Sequence, residues 1–164
     1  MKIPIYQVDA FTSKVFKGNP AAVCPLENWL PDKIMQDIAK ENNLSETAFF
    51  INKNNTFDIR WFTPVSELDL AGHPTLATAH VIIKELNFQL DKIIFKTEIG
   101  DTLTVTKENN LFIMNFPSRP PELDKNIESV SDALGKKPLE LFRHRDAVAV
   151  FKNEEDIKSM TPSM

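Results

Sequence analysis

At 164 residues the chain has room for one domain, or one and a fraction, and its 42% hydrophobic and 26% charged residues are those of a globular protein. Its net charge of −4 is spread without any Lys/Arg block, which excludes a nucleic-acid surface and argues against a membrane-surface partner. No apolar run approaches the roughly 20 residues of a membrane span, the first residues read as strand rather than signal peptide, and a lone Cys24 fits a cytoplasmic protein without intrachain disulfides.

Residues 3–11 predict a strand, with Ile3, Ile5, Val8 and Phe11 set among polar residues. Lys17-Gly18-Asn19-Pro20 predicts a turn, and residues 21–24 a short apolar strand. Cys24, between Val23 and Pro25, suits a core or strand-end position better than a nucleophile's. Pro31 and Asp32 open a helix whose apolar positions Ile34, Met35, Ile38 and Ala39 recur at helical spacing. Asn42-Asn43 ends it, because these side chains compete for local backbone bonds. Residues 45–51 and 56–62 predict two strands around the polar turn 52–55.

Asp69-Leu-Ala-Gly-His-Pro-Thr-Leu-Ala-Thr78 is the most informative stretch. A Gly-His turn enters a helix over 74–86 with Pro74 at its first position, where a missing N–H costs nothing. Leu76, Ala77, Ala79, Val81, Ile82, Ile83 and Leu86 make that helix apolar on nearly every side, so it is expected to be buried. Its free amides and positive dipole end then face whatever lies before Gly72 and His73, a ready anion site. A capped core helix explains the same residues equally well.

Residues 92–97, 102–106 and 111–116 read as an antiparallel meander broken at 99–101 and 108–110. The pattern is α+β: a mostly antiparallel sheet wrapped around one central helix, with no strand-helix-strand alternation to suggest parallel strands. Pro117-Ser-Arg-Pro-Pro-Glu122 is a natural boundary between residues 1–117 and 118–164. Beyond it a helix is predicted over 127–134, ended by Gly135, then a strand at 147–151 and a short helix at 154–160. These last ~45 residues are too few to bury a core alone. They either pack on the first unit or open a second domain.

Glu46 is followed almost at once by apolar residues, and a carboxyl partly withdrawn from water suits general acid/base work. From the residues alone, a surface Glu on an edge strand is the simpler reading. Glu67 and Asp69 suit structural or capping roles, His80 a core position, His144 a solvated one, and Trp61 and Phe62 the core or a cleft wall. One Cys and three dispersed His residues show no metal-ligand spacing, so no metal is expected.

Four blocks carry a resemblance: Phe16-Lys-Gly-Asn-Pro-Ala-Ala-Val23, Asn42-Asn-Leu-Ser-Glu-Thr-Ala-Phe-Phe50, Ile59-Arg-Trp-Phe-Thr-Pro64 and Asp69-Leu-Ala-Gly-His-Pro-Thr75. In this order and spacing they resemble the phenazine biosynthesis PhzF-like family, over essentially the whole chain. The resemblance implies the diaminopimelate epimerase-like fold: two similar domains, each a sheet curled around a central helix, with the active site in the cleft between them. It implies a longer chain, of which residues 1–117 would be the first domain and 118–164 an incomplete start of the second. The family's later Asp-Pro-Val-Thr-Gly-Ser-like block is absent.

The resemblance also implies an isomerase that moves a proton on a small carboxylate-bearing metabolite, with no metal or organic cofactor. Glu46 matches the family's general acid/base and His73 its active-site histidine. Gly72, Pro74 and Thr75 line the helix mouth where a substrate carboxylate would bind, the amides of Gly72, His73 and Thr75 holding it. Asn19 and Ser45 would hydrogen-bond the substrate. Ala71 carries only a methyl group near the point where related epimerases hold a proton-abstracting Cys, so a two-thiol mechanism is not expected. The alternative is a truncated, catalytically inactive remnant that acts only as a binding or oligomerising domain. A truncated chain exposes apolar surface and is expected to self-associate as a homodimer.

Overall fold

The structure, a computed structural model, describes residues 2–109 and 111–163, so Asn110 of the turn predicted at 108–110 lies outside it. The chain forms two compact units, residues 1–117 and 118–164.

The first unit is built on an eight-stranded sheet in the order β1-β2-β3-β4-β6-β7-β8, with β5 beside β4. The strands are β1 (Tyr6–Ala10), β2 (Asn19–Leu26), β3 (Glu46–Lys53), β4 (Thr56–Phe62), β5 (Glu67–Leu68), β6 (Lys92–Thr97), β7 (Thr102–Glu108) and β8 (Leu111–Asn115). Helix α1 (Asp32–Asn42) joins β2 to β3, and helix α2 (Gly72–His80) lies between β5 and β6.

The sheet is mostly antiparallel, as expected, but it also holds two parallel pairings that the sequence did not suggest. β2 and β3 pair in parallel from Ala21↔Glu46 to Leu26↔Ile51, with α1 as the crossover. β4 and β6 pair in parallel from Thr56↔Ile94 to Ile59↔Thr97 across α2. Parallel neighbours require such a crossover. The central strands are covered on both faces, so they read as continuous apolar runs, and that pattern carries no pairing direction.

Alternation along each strand sends one set of side chains inward. Ala21, Val23, Ala48, Phe50, Phe57, Ile59, Trp61, Ile93, Phe95, Leu103 and Val105 join one cluster with Ala77, Ala79, Val81 and Ile82. Phe112, Met114 and Phe116 extend it to the far edge. α2 and so many strands of a wide sheet can share one cluster only if the sheet curls around the helix. The opposite face carries α1, where Met35 and Ala39 meet Cys24, Phe49 and Phe62.

The central helix begins two residues earlier than predicted, and its last turn, Val81–Glu85, is wound as a π-helix. Its buried hydroxyls are satisfied one turn back: Thr75 donates to the Ala71 carbonyl at 2.6 Å and Thr78 to that of Pro74 at 2.7 Å. The predicted first strand is shorter at both ends. Phe11, expected in the strand, has φ 65° and is 68% exposed, so the chain leaves the sheet there. Asn19 and Pro20, expected in a turn, belong to β2. Pro20 sits before the first β3 pair, so its missing N–H breaks no bond to that strand.

The second unit holds a three-stranded antiparallel sheet, β11-β10-β9, from β9 (Glu122–Leu123), β10 (Glu140–Arg143) and β11 (Ala147–Val150). Helix α3 (Glu128–Leu134) ends on Gly135, whose φ of 67° suits glycine. Helix α4 (Glu154–Lys158) starts where the Asn153 side chain accepts the Asp156 amide. Leu141 is the one large apolar side chain fully buried among its described residues.

Candidate active site

Three elements begin at one end of the curled sheet. Asn19 opens β2, Glu46 opens the parallel neighbour β3, and His73 is the second residue of α2. The bend that delivers Ser45 and Glu46 is set by α1: Asn43 adopts φ 50° at its C-cap, a conformation Asn tolerates. The Asn42 amide donates to the Thr47 hydroxyl at 3.1 Å and ties that helix end to β3. Glu46 shares the inward face of β3 with Ala48 and Phe50, so its carboxyl turns toward α2 rather than outward.

His73 Nε2 lies 3.1 Å from Glu46 Oε2, with the two side chains only 10% and 17% exposed. The Oε2 atom is buried and makes no aligned hydrogen bond despite that proximity. Buried polar atoms in this condition are exceptions that call for a partner. Ser45 Oγ lies 3.3 Å from the same Nε2, and is 3.4 Å from Asn19 Oδ1 and 3.3 Å from the Pro20 carbonyl. A hydroxyl has one proton, so Ser45 donates to one of these acceptors at a time and accepts from Nε2 when that nitrogen carries hydrogen. Asn19, Ser45, His73 and Glu46 therefore form one chain of polar contacts.

Gly72 adjoins this group, is exposed, and has open space where a side chain would stand. The N-cap of α2 is Ala71 and not Gly72-His73, so Pro74 occupies the third helical position instead of the first. Proline is tolerated through the first turn because none of those amides has a helical acceptor. The Thr75 amide is the first with a carbonyl one turn back, that of Ala71. The N–H groups without such an acceptor are those of Ala71, Gly72 and His73. Pro74 and Thr75 are buried, and the Thr75 hydroxyl is committed to Ala71. The placement of the cap at Ala71 was missed because a Pro after Gly-His reads most simply as a first helical residue.

Other candidates fall where packing puts them. Cys24 is fully buried, and burial pushes its thiol up to about 12, so it is inert. His80 packs edge-on against Phe112, ring centroids 6.5 Å apart. Trp61 is a core residue beside Ala48, its indole N–H without a hydrogen-bond partner. Glu67 pairs with Arg60, a residue that sequence reasoning passed over. Among the described residues no three His, Cys, Asp or Glu side chains stand close enough to hold a metal ion, and no helix is long and apolar enough to cross a membrane.

The model of the phenazine biosynthesis-like (PhzC-PhzF) family matches residues 8–164. The chain belongs to this family. An uncharacterized isomerase of Pseudomonas aeruginosa is 43% identical over 162 residues, covering 99% of this chain and 62% of that protein. A phenazine biosynthesis-like domain-containing protein of Bos taurus is 40% identical over 155 residues, covering 88% of this chain and 54% of that protein. The crystal structure of a PhzF-family protein from Enterococcus faecalis superposes with a TM-score of 0.86 at 45% identity, over 99% of this chain and 62% of that one. The PhzF-like chain thus has the diaminopimelate epimerase-like α+β fold of its family and spans about three fifths of the length of these bacterial relatives.

Proposed function

We propose that this PhzF-like chain carries the acid/base half of a cofactor-free isomerase for a small carboxylate-bearing metabolite. One observation supports this above the others: a withdrawn Glu46 Oε2, without an aligned donor, stands 3.1 Å from His73 Nε2. In this reading Glu46 takes a proton from a carbon activated by an adjacent unsaturated or carboxylated group. The C–H pair moves into the conjugated system, and the same carboxyl returns the proton to a second carbon of the same molecule. His73, steadied by Ser45 and Asn19, hydrogen-bonds the substrate and keeps the Glu46 proton aligned. The amides of Ala71, Gly72 and His73 receive the substrate carboxylate at the positive end of α2. Gly72 leaves room for it.

The test is proton exchange. The protein is incubated in D2O with a panel of small unsaturated and cyclic carboxylates, and deuterium entering carbon is read by NMR. Glu46→Gln is expected to slow exchange by about 10²–10⁴-fold, the usual worth of a general acid/base. Exchange as fast as in the unaltered protein overturns the assignment.

A second reading, a binding or oligomerising domain without turnover, draws on β8. It is an edge strand of the sheet, and its Leu111 and Ile113 are 73% and 50% exposed. Under either reading the partner is a second copy of this chain, and nucleic acid and membrane are not partners. A free, buried thiol suits a reducing compartment, and the reading places the chain in the cytoplasm.

A further inference from the structure

Arg60 lies on the α1 side of β4, with a side chain only 9% exposed. Its guanidinium stands 5.6 Å over the Trp29 ring and 5.2 Å over that of Phe62. Three carboxylates from three elements converge on it. Glu67 of β5 takes Nε and Nη2 in a fork, both at 2.7 Å. Asp32, the first residue of α1, takes Nη1 at 2.9 Å, and Glu98, just past β6, reaches Nε at 3.1 Å. Burying this guanidinium is costly, and three carboxylates more exposed than it offset the cost with directed bonds. Their geometry is what a hydrophobic replacement could not reproduce.

Of the three arms, Asp32 stands at the far end of α1 from Ser45 and Glu46, whereas Glu67 directly precedes the entry to α2. β5 has two residues, paired to Trp61 and Phe62, and its start is tied to β4 by the Thr63–Ser66 turn. It is pinned on its two faces as well: Leu68 packs inward on the core, and Glu67 points outward into the Arg60 fork. Four residues after Leu68 the chain enters α2, and the next is His73. A shift of β5 along β4 therefore displaces the mouth of α2, and a 3.1 Å contact tolerates little displacement.

We propose that Arg60 is a positioning residue: its fork on Glu67 locks β5 to β4 and so sets His73 against Glu46. The proposal rests on the reading that His73 and Glu46 work together. A matched pair of variants separates positioning from general stabilisation. Glu67→Gln and Glu98→Gln each remove one charge from the same guanidinium nitrogen, but the β6–β7 connection that carries Glu98 does not lead to α2. In the Glu67→Gln variant an amide N–H₂ faces a guanidinium N–H, so the fork is lost.

The probe is the ring-nitrogen NMR spectrum of the chain labelled with ¹⁵N-histidine, in which His144, outside α2, is the internal reference. Glu67→Gln is expected to move the His73 ring signals by several linewidths and leave those of His144 in place. Glu98→Gln is expected to move none. Arg60→Lys, which keeps the charge and loses the fork, is expected to repeat the Glu67→Gln shift. If that buried variant fails to fold, the two glutamate variants still decide. An unmoved His73 in Glu67→Gln, or an equal shift in Glu98→Gln, overturns the proposal. Glu46→Gln is the reference for the underlying reading. If it leaves His73 unmoved, the pairing with Glu46 fails; if it moves His73 and Glu67→Gln does not, only the role of Arg60 fails.

Discussion

Between Glu46 Oε2 and His73 Nε2 there is room for one proton and no water. Nothing in the 26 residues separating them announces that contact; it exists because β3 and α2 start at the same end of the sheet. What the residues did reveal was an acid ahead of an apolar run and a histidine at a helix mouth. Cys24 shows the converse, a reactive type made inert by its surroundings. The folded chain holds the thiol proton more tightly than the unfolded chain, whose thiol ionises near its ordinary value of 9.0. Below that pH both states are protonated and the group contributes no pH dependence. Between about 9 and about 12 the unfolded chain ionises first, so stability falls as pH rises through this window. Cys24→Ala is expected to lose that alkaline slope in thermal melts compared at pH 8 and pH 10. An unchanged slope would show that other groups cause it.

At the scale of elements, the two helices explain most of what sequence reading achieved and missed. Spacing alone marked α1, and unbroken apolarity marked α2 as buried. Strand pairing was less legible. β2 and β3 are covered by α2 on one side and α1 on the other, so their residues show neither alternation nor direction. The start of α2 was displaced by two residues, which moves the free amides from Thr75 to Ala71. Gly72 gives a test at this scale. A Cβ there meets nothing, and alanine is the better helix former, so Gly72→Ala should stabilise the chain by about 0.5–1 kcal/mol. The same methyl would stand where the substrate carboxylate approaches, so turnover should fall while the melting temperature rises. Stability and turnover that move together would mean Gly72 serves packing only. At Gly18, by contrast, a Cβ would run into the Ala10 carbonyl, and that glycine is needed by the β1–β2 connection itself.

For the whole molecule, every residue of the candidate site lies within residues 1–117, and the chain spans 62% of the bacterial relatives it matches. Fold class was legible because helices, strands and a proline-rich joint each leave local signals. The candidate site was legible only through four short blocks taken together, since each is explained by packing when read singly. Arg60 escaped notice because a lone Arg in a strand gives no sign of the carboxylates that fold onto it. The exposed Leu111 and Ile113 on an edge strand predict self-association. Light scattering across a concentration series should report a dimer, and a strict monomer at the highest concentration would contradict this.

The central claim is that the acid of β3 and the mouth of α2 address one small molecule. A crystal structure of the protein grown with a small carboxylate tests it most directly. The anion is expected on the amides of Ala71, Gly72 and His73, with the Glu46 carboxyl in contact with its carbon skeleton. A carboxyl at position 46 turned to bulk water, with the anion bound elsewhere, would contradict it.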